Sequence, residues 1–189
     1  MEKIKEIIKE NITIKEDLLN NSELLNSIQQ VAQIIAETLQ NGNKIMFCGN
    51  GGSAADAQHL AAEFSGKFLK NRRALPALCL NTNVSTLTAI ANDFGYENVF
   101  LRQVQGVGQC GDILIGISTS GQSQNVIEAF KYASSVDIKT ISLTGKEAKI
   151  LGEYSDINIA VPSKSTPRIQ ETHILIGHII CELVENILF

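Results

Sequence analysis

Several broad classes are excluded by what the sequence does not contain. No C-x-x-C pair occurs, and the four cysteines, Cys48, Cys79, Cys110 and Cys181, are widely scattered. They read as reduced thiols, mostly buried as small apolar side chains, in a cytoplasmic protein rather than as a disulfide framework. No apolar run is long enough for a membrane span, since Ile174 to Leu183 is short and carries His178 and Glu182. The first residues, Met1 to Glu6, have mixed charge and no apolar h-region, so no secretion signal is expected. The net charge of −4 gives no general nucleic-acid footprint. No Walker motif is present, since Gly145-Lys146 lacks the upstream glycine spacing and a following Ser or Thr. No G-x-G-x-x-G fingerprint stands between a strand and a helix: the one run with that spacing, Gly106 to Gly111, precedes the strand expected near 112–117. A nucleotide cofactor is therefore not expected. Only three prolines occur, none interrupting a proposed helix interior, and there is no repeat, low-complexity tract or long linker.

What is present suits a single domain spanning 1–189, with 1–41 as a helical arm. Ile4, Ile7, Ile8 and Ile12 recur at helical spacing, and Asn20-Asn21-Ser22 offers a break and a cap. A second helix is expected from about 23 to 39, with Leu24, Ile28, Val31, Ile34, Ile35 and Leu39 on one stripe, ended by Asn41-Gly42-Asn43. From Lys44 the pattern alternates. Strands are expected near 44–48, 75–80, 112–117, 138–143 and 157–161. Helices are expected at 53–69, 84–109 with a break near Gly95, 122–134, a short piece near 146–151, and a long one from 166 to 188. Strands such as Asp112 to Ile117 are apolar on both faces, the pattern of a parallel sheet covered on both sides. The expected fold class is α/β: a three-layer, doubly wound, five-stranded parallel sheet with two N-terminal helices and a long C-terminal helix. Ligands in such folds sit beyond the carboxyl ends of the strands.

Two strand-to-helix turns fall at that edge. Asn50-Gly51-Gly52-Ser53 lets the backbone approach a ligand and offers helix-start N–H groups to an anion. Ser118-Thr119-Ser120-Gly121-Gln122-Ser123 places four hydroxyls in six positions, more than the one a helix cap by Ser120 or Ser123 requires. Together the two loops suit the phosphate of one sugar phosphate. His59 and Glu63, four apart, share a helical face just beyond the first loop, although such a pair is also common on a solvated surface. On the last helix Gln170 and His178 lie a little over two turns apart. Surrounded by Ile174, Leu175, Ile179 and Ile180, His178 reads equally as a satisfied core histidine or as a ligand. His173 reads as an alternative ligand or a polar surface residue. Asn92-Asp93 reads as a helix break or as a pair of groups for sugar hydroxyls. Lys67, Lys70, Arg72 and Arg73 read as a solvated basic face.

These segments resemble the phosphoheptose isomerase family of the sugar isomerase (SIS) domain superfamily. The resemblance runs through Gly49 to His59, Ala91 to Tyr96, Gly116 to Gly121 and Arg168 to His173, in order along nearly the whole chain. It implies a flavodoxin-like SIS fold and a zinc-assisted aldose–ketose isomerase. The implied reaction converts sedoheptulose 7-phosphate to D-glycero-D-manno-heptose 7-phosphate for bacterial surface heptose. It further implies His59, Glu63, Gln170 and His178 as metal ligands. Asn50, Gly51, Gly52, Ser53, Glu63, Ser118, Thr119, Ser120, Ser123 and Gln170 would lie around the substrate, with Asn92 and Asp93 on its hydroxyls. A homotetramer with active sites between subunits is implied as well. Gln122 stands where relatives often have Asn, and Pro167 where some carry an acid.

Moving a proton between C1 and C2 through an enediol needs a base and an acid, and Glu63 and His178 are the expected pair. Two other readings stand beside this one. The chain would be a non-catalytic tetrameric scaffold of the kind that associates with a replication initiator, or an isomerase of another sugar phosphate. Retention of Glu63, His59, Gln170 and His178 favours the enzyme over the scaffold.

Overall fold

The computed structural model describes the backbone of residues 1–189 and all side chains except that of Lys149. Two helices, α1 (Glu2–Leu19) and α2 (Ser22–Gln40), precede an alternating unit. That unit runs β1 (Ile45–Gly49), α3 (Gly52–Ser65), β2 (Ala77–Cys79), α4 (Val84–Phe94), α5 (Leu101–Val107), β3 (Ile113–Ser118), α6 (Gln124–Ser135), β4 (Lys139–Thr144), α7 (Lys149–Glu153), β5 (Ile157–Ala160) and α8 (Thr166–Leu188). The five strands form one sheet in the order β2-β1-β3-β4-β5, and every pairing is parallel.

The two-sided strands explain the layers. In β1, Ile45 and Phe47 face a core shared with α2, α3 and α8, while Met46 and Cys48 face one shared with α5 and α6. All five residues of β1 and all six of β3 are buried. Each fully buried Ile or Phe contributes about 1.5–3 kcal/mol relative to exposure, so strand alternation of this kind fixes register strongly. Helix α2 buries the expected stripe through Leu24, Ile28, Val31, Ile35 and Leu39, with Ile34 at its margin. Asn21 caps α2, its Oδ1 accepting from the Leu24 amide at 3.0 Å. Helix α1 buries Ile14 and Leu18, whereas Ile4, Ile7, Ile8 and Ile12 remain exposed on the single chain. Among the described residues no helix is long and apolar enough to cross a membrane.

The structure corrects several expectations. The helix expected over 53–69 stops at Ser65, and 66–69 belongs to a loop. Strand β2 has three residues rather than six; it is an edge strand, and Pro76 just before it has no N–H for the ladder. The basic run is not a solvated face throughout. Arg72 is buried against Glu185 (Nε to Oε1 2.7 Å), with side-chain exposures of 1 % and 2 %. Glu185 also accepts the amides of Phe68, Leu69 and Lys70, at 2.9, 2.9 and 2.8 Å. Burial pushes its carboxyl up, but the three amides and Arg72 outweigh this and bring the pKa down to about 2. Among the cysteines only Cys48 and Cys181 are buried, Cys79 is half-buried and Cys110 is exposed. Burial raises the thiols of Cys48 and Cys181, the latter to about 12, so both stay protonated near neutral pH.

Candidate active site

Chain order reverses between β1 and β3, whose partners run as far as Cys48↔Gly116 and Gly49↔Ile117. The loops that follow them therefore start side by side at the carboxyl edge of the sheet, the usual place for a ligand in this architecture. Residues 50–53 and 118–123 are those loops. They are laced together: Asn50 and Asn125 exchange two amide hydrogen bonds (2.8 and 2.9 Å), and the Tyr96 hydroxyl donates to Asn50 at 3.0 Å. Ser118 and Ser123 share a hydroxyl–hydroxyl bond of 2.8 Å, and Ser120 accepts the amide of Gln122. Ser123 stands at the N-cap of α6 without a side-chain capping bond, so simple capping does not account for this loop. Ser53 is buried, Thr119 half-buried and Ser120 exposed.

Helix α3 begins at Gly52 and runs beside α8 in the same direction, with a nearly constant offset. His59 meets His178 and Leu60 meets Gly177, separations of 119 and 117 positions. Gln170 lies against Gly52, where an added Cβ would stand 2.4 Å from its Nε2. Only glycine permits that approach. Gln170 is thus placed level with the first loop, and His178 two turns farther along the seam.

At that second level three donors converge. His59 Nε2 lies 2.9 Å from His178 Nε2 and 3.1 Å from Glu63 Oε1. One ligand atom from each of His59, Glu63 and His178 falls within 4.8 Å of the others. Two imidazoles and a carboxylate facing one point form a donor set that zinc accepts. The cluster is half open, with His59 and Glu63 side chains 49 % and 21 % exposed. Phe68 packs beside His178, ring centroids 5.4 Å apart.

His178 is therefore not the enclosed core histidine; that residue is His173. It is fully buried, with Nε2 3.0 Å from the Thr144 carbonyl oxygen, and burial pushes its pKa down to about 4. Five residues at about 100° each turn His173 about 140° away from His178, so the two cannot share a face. The reading of His173 as an alternative ligand or a surface residue is corrected. Asn92 and Asp93 are exposed at the end of α4 and bond each other (2.8 Å). Tyr96, not that pair, makes the side-chain bond to the first loop.

Sequence reasoning passed over Asn125, Tyr96 and Asp56. Asp56 sits one turn before His59, with Oδ2 buried and without a hydrogen-bond partner. Burial raises its pKa, opposed by His59. Its spacing from His59 was a usable signal; Asn125 and Tyr96 lie 75 and 46 positions from the Asn50 they hold, so spacing alone could not reveal those contacts.

The SIS domain family profile matches residues 12–145. The chain is 50 % identical over 186 residues to a phosphoheptose isomerase of Sulfurimonas denitrificans, covering 98 % of this chain and 95 % of the relative. Among solved structures, the phosphoheptose isomerase of Neisseria gonorrhoeae superposes with a TM-score of 0.92 at 42 % identity, with 98 % of each chain covered. That of Francisella tularensis superposes with a TM-score of 0.94 at 36 % identity, covering 98 % of this chain and 97 % of that one.

Proposed function

The chain belongs to the phosphoheptose isomerase family of SIS-domain proteins, and from that premise we propose how its residues divide the work. The protein is a sugar-phosphate isomerase that interconverts sedoheptulose 7-phosphate and D-glycero-D-manno-heptose 7-phosphate in heptose biosynthesis. The product serves bacterial surface heptose, and the enzyme works in the cytoplasm.

The observation that carries the reading is the convergence of His59, Glu63 and His178 beside two anion-suited loops. The phosphate lies among the amides at the start of α3 and the hydroxyls of Ser53, Ser118, Thr119, Ser120 and Ser123, where the helix starts favour negative charge. Asn50, Gly51 and Gly52 shape the approach, and Gln170, Asn92 and Asp93 meet sugar hydroxyls. The chain of the sugar then reaches along the α3–α8 seam to the cluster. Glu63 takes the C1 proton of the ketose as the C2 oxygen gains one, giving an enediol. The carbon-bound proton returns at C2 while O1 loses its own, leaving the aldehyde. His178 carries protons between the two oxygens.

His59, Glu63 and His178 would hold a zinc ion, with Gln170 joining them only by turning from Gly52 along the seam, and the ion would supply Lewis-acid stabilisation of negative charge on the reacting oxygens. A carboxylate has two oxygens, so Glu63 keeps one for the carbon acid while the other ligates. His178 Nε2 cannot ligate and carry a proton at once, so those two roles alternate in time. The whole of 1–189 acts as one SIS domain with 1–41 as its arm. Four copies assemble with the sites between them, covering the exposed isoleucines of α1.

The test is to incubate purified protein with sedoheptulose 7-phosphate, follow aldose formation, and measure bound metal. Turnover, with zinc content near one per chain, is expected. A folded protein without turnover on this ketose, before or after zinc addition, would overturn the reading and favour the non-catalytic scaffold.

A further inference from the structure

The buried Arg72–Glu185 pair is far more elaborate than a loop tie requires. Arg72 Nη2 donates to the Glu63 carbonyl (2.8 Å), and Nη1 to those of Phe64 (2.9 Å) and Gly66 (3.2 Å). The guanidinium thus satisfies the carbonyls that the end of α3 leaves unpaired. Glu185, two turns beyond His178 on α8, accepts the Phe68, Leu69 and Lys70 amides. One ion pair therefore pins two things to the same seam: the main chain of Glu63 and the loop carrying Phe68. The Phe68 ring in turn lies against the His178 imidazole, at 5.4 Å between centroids and 32° between planes. His178 Nε2 also faces His59 Nε2, at 2.9 Å.

We infer that Phe68, set by the Arg72–Glu185 pair, is a positioning residue that holds the His178 ring so that Nε2 faces His59 and Glu63. This rests on the isomerase reading above and adds to it the part that fixes His178. The physical need is plain. His178 is half-exposed, its side chain has two rotatable bonds, and reactions of this type lose rate steeply when a proton carrier is misplaced. A flat ring against one face of the imidazole removes the rotamers that would swing it into solvent.

The experiment compares wild type, Phe68→Leu, Phe68→Tyr and Glu185→Gln on sedoheptulose 7-phosphate, alongside ¹⁵N NMR of the His178 imidazole. Phe68→Leu is expected to lower kcat about tenfold with KM within about twofold, because the phosphate loops do not depend on this ring. Phe68→Tyr, which restores an aromatic face, is expected to recover kcat to within about threefold of wild type. Glu185→Gln should lower kcat in the same direction, and adding it to Phe68→Leu should cost little more, since both act through one ring. If Glu185→Gln does not fold, the two Phe68 variants decide alone. Wild-type kcat in Phe68→Leu would overturn the inference, as would equal losses in the Leu and Tyr variants. Should the wild type itself fail to isomerise, the function reading falls. The imidazole signals then decide positioning by themselves: a shift in Phe68→Leu supports it and unchanged signals overturn it.

Discussion

His59 Nε2 and His178 Nε2 stand 2.9 Å apart although 119 positions separate them in the chain. Two ring nitrogens that close require either one proton shared between them or a cation facing both, because two protonated imidazoles would repel. The contact is produced by the parallel seam of α3 and α8, which also sets Gln170 against Gly52 and Leu60 over Gly177. The packing of two helices thus does the work of assembling the site.

Glu63→Gln and His178→Gln each keep a side chain of similar size and remove the proton-transfer group. Turnover is expected to fall at least about a hundredfold in each, the usual scale for a general acid or base. Circular dichroism and size-exclusion elution should match wild type, because Glu63 and His178 are only half-buried. Near-normal kcat in either variant would reject its assigned role.

Gly52→Ala separates stability from function. Gly52 begins α3, and a Cβ there would displace Gln170, whose amide is the movable end of a flexible side chain. Alanine is a better helix former, so the free energy of unfolding is expected to change little, within about 1 kcal/mol. Activity is expected to drop about ten- to a hundredfold as Gln170 is pushed from the seam. Full activity in this variant would mean that Gln170 is not needed where it lies.

Stability should fall on mild acidification through His173. Folded, its pKa is pushed down to about 4 by burial; unfolded, an imidazole takes its proton near 6.5. Between these values the unfolded chain binds the extra proton, so stability is full above pH about 6.5 and is lost as pH falls toward about 4. The expected loss between pH 7 and pH 5 is about 2 kcal/mol per chain, read by urea unfolding at fixed protein concentration. Glu185, lowered to about 2 in the fold, loses its contribution in a more acid window, below its ordinary carboxylate value. A His173→Leu variant should lack the loss between pH 7 and 5. An equal loss in that variant would place the titration elsewhere.

The sheet was legible because β1 and β3 are apolar on both faces, a pattern few other environments produce. The two loops were legible because their glycines and hydroxyls exceed what turns and caps need. The histidines of α8 were not, since Ile, Leu and His alternate there so densely that either His173 or His178 fits a core position. Only the placement of α3 against α8 decides between them. Arg72 was misread for a related reason: its partner Glu185 lies 113 positions away, and a charge run looks solvated until its counter-charge is found.

Exposed isoleucines on α1 supply the last prediction. Ile4, Ile7, Ile8 and Ile12 are 59, 40, 53 and 49 % exposed on one face of a helix whose inner contacts are Ile14 and Leu18. Ile7, Ile8 and Ile12 also line a groove with Asn11, Arg168 and Glu171 at the start of α8. An apolar stripe beside polar groups is what a chain-to-chain contact requires. Ile8→Glu removes about 1.5–3 kcal/mol of burial per copy and adds a charge to be desolvated, without touching the core of the single chain. Sedimentation velocity at micromolar concentration is expected to show species smaller than wild type. Turnover should fall with the assembled fraction if neighbouring copies complete the site. Unchanged mass in the variant would remove this stripe from the interface, and unchanged kcat in a dissociated variant would show that one chain suffices.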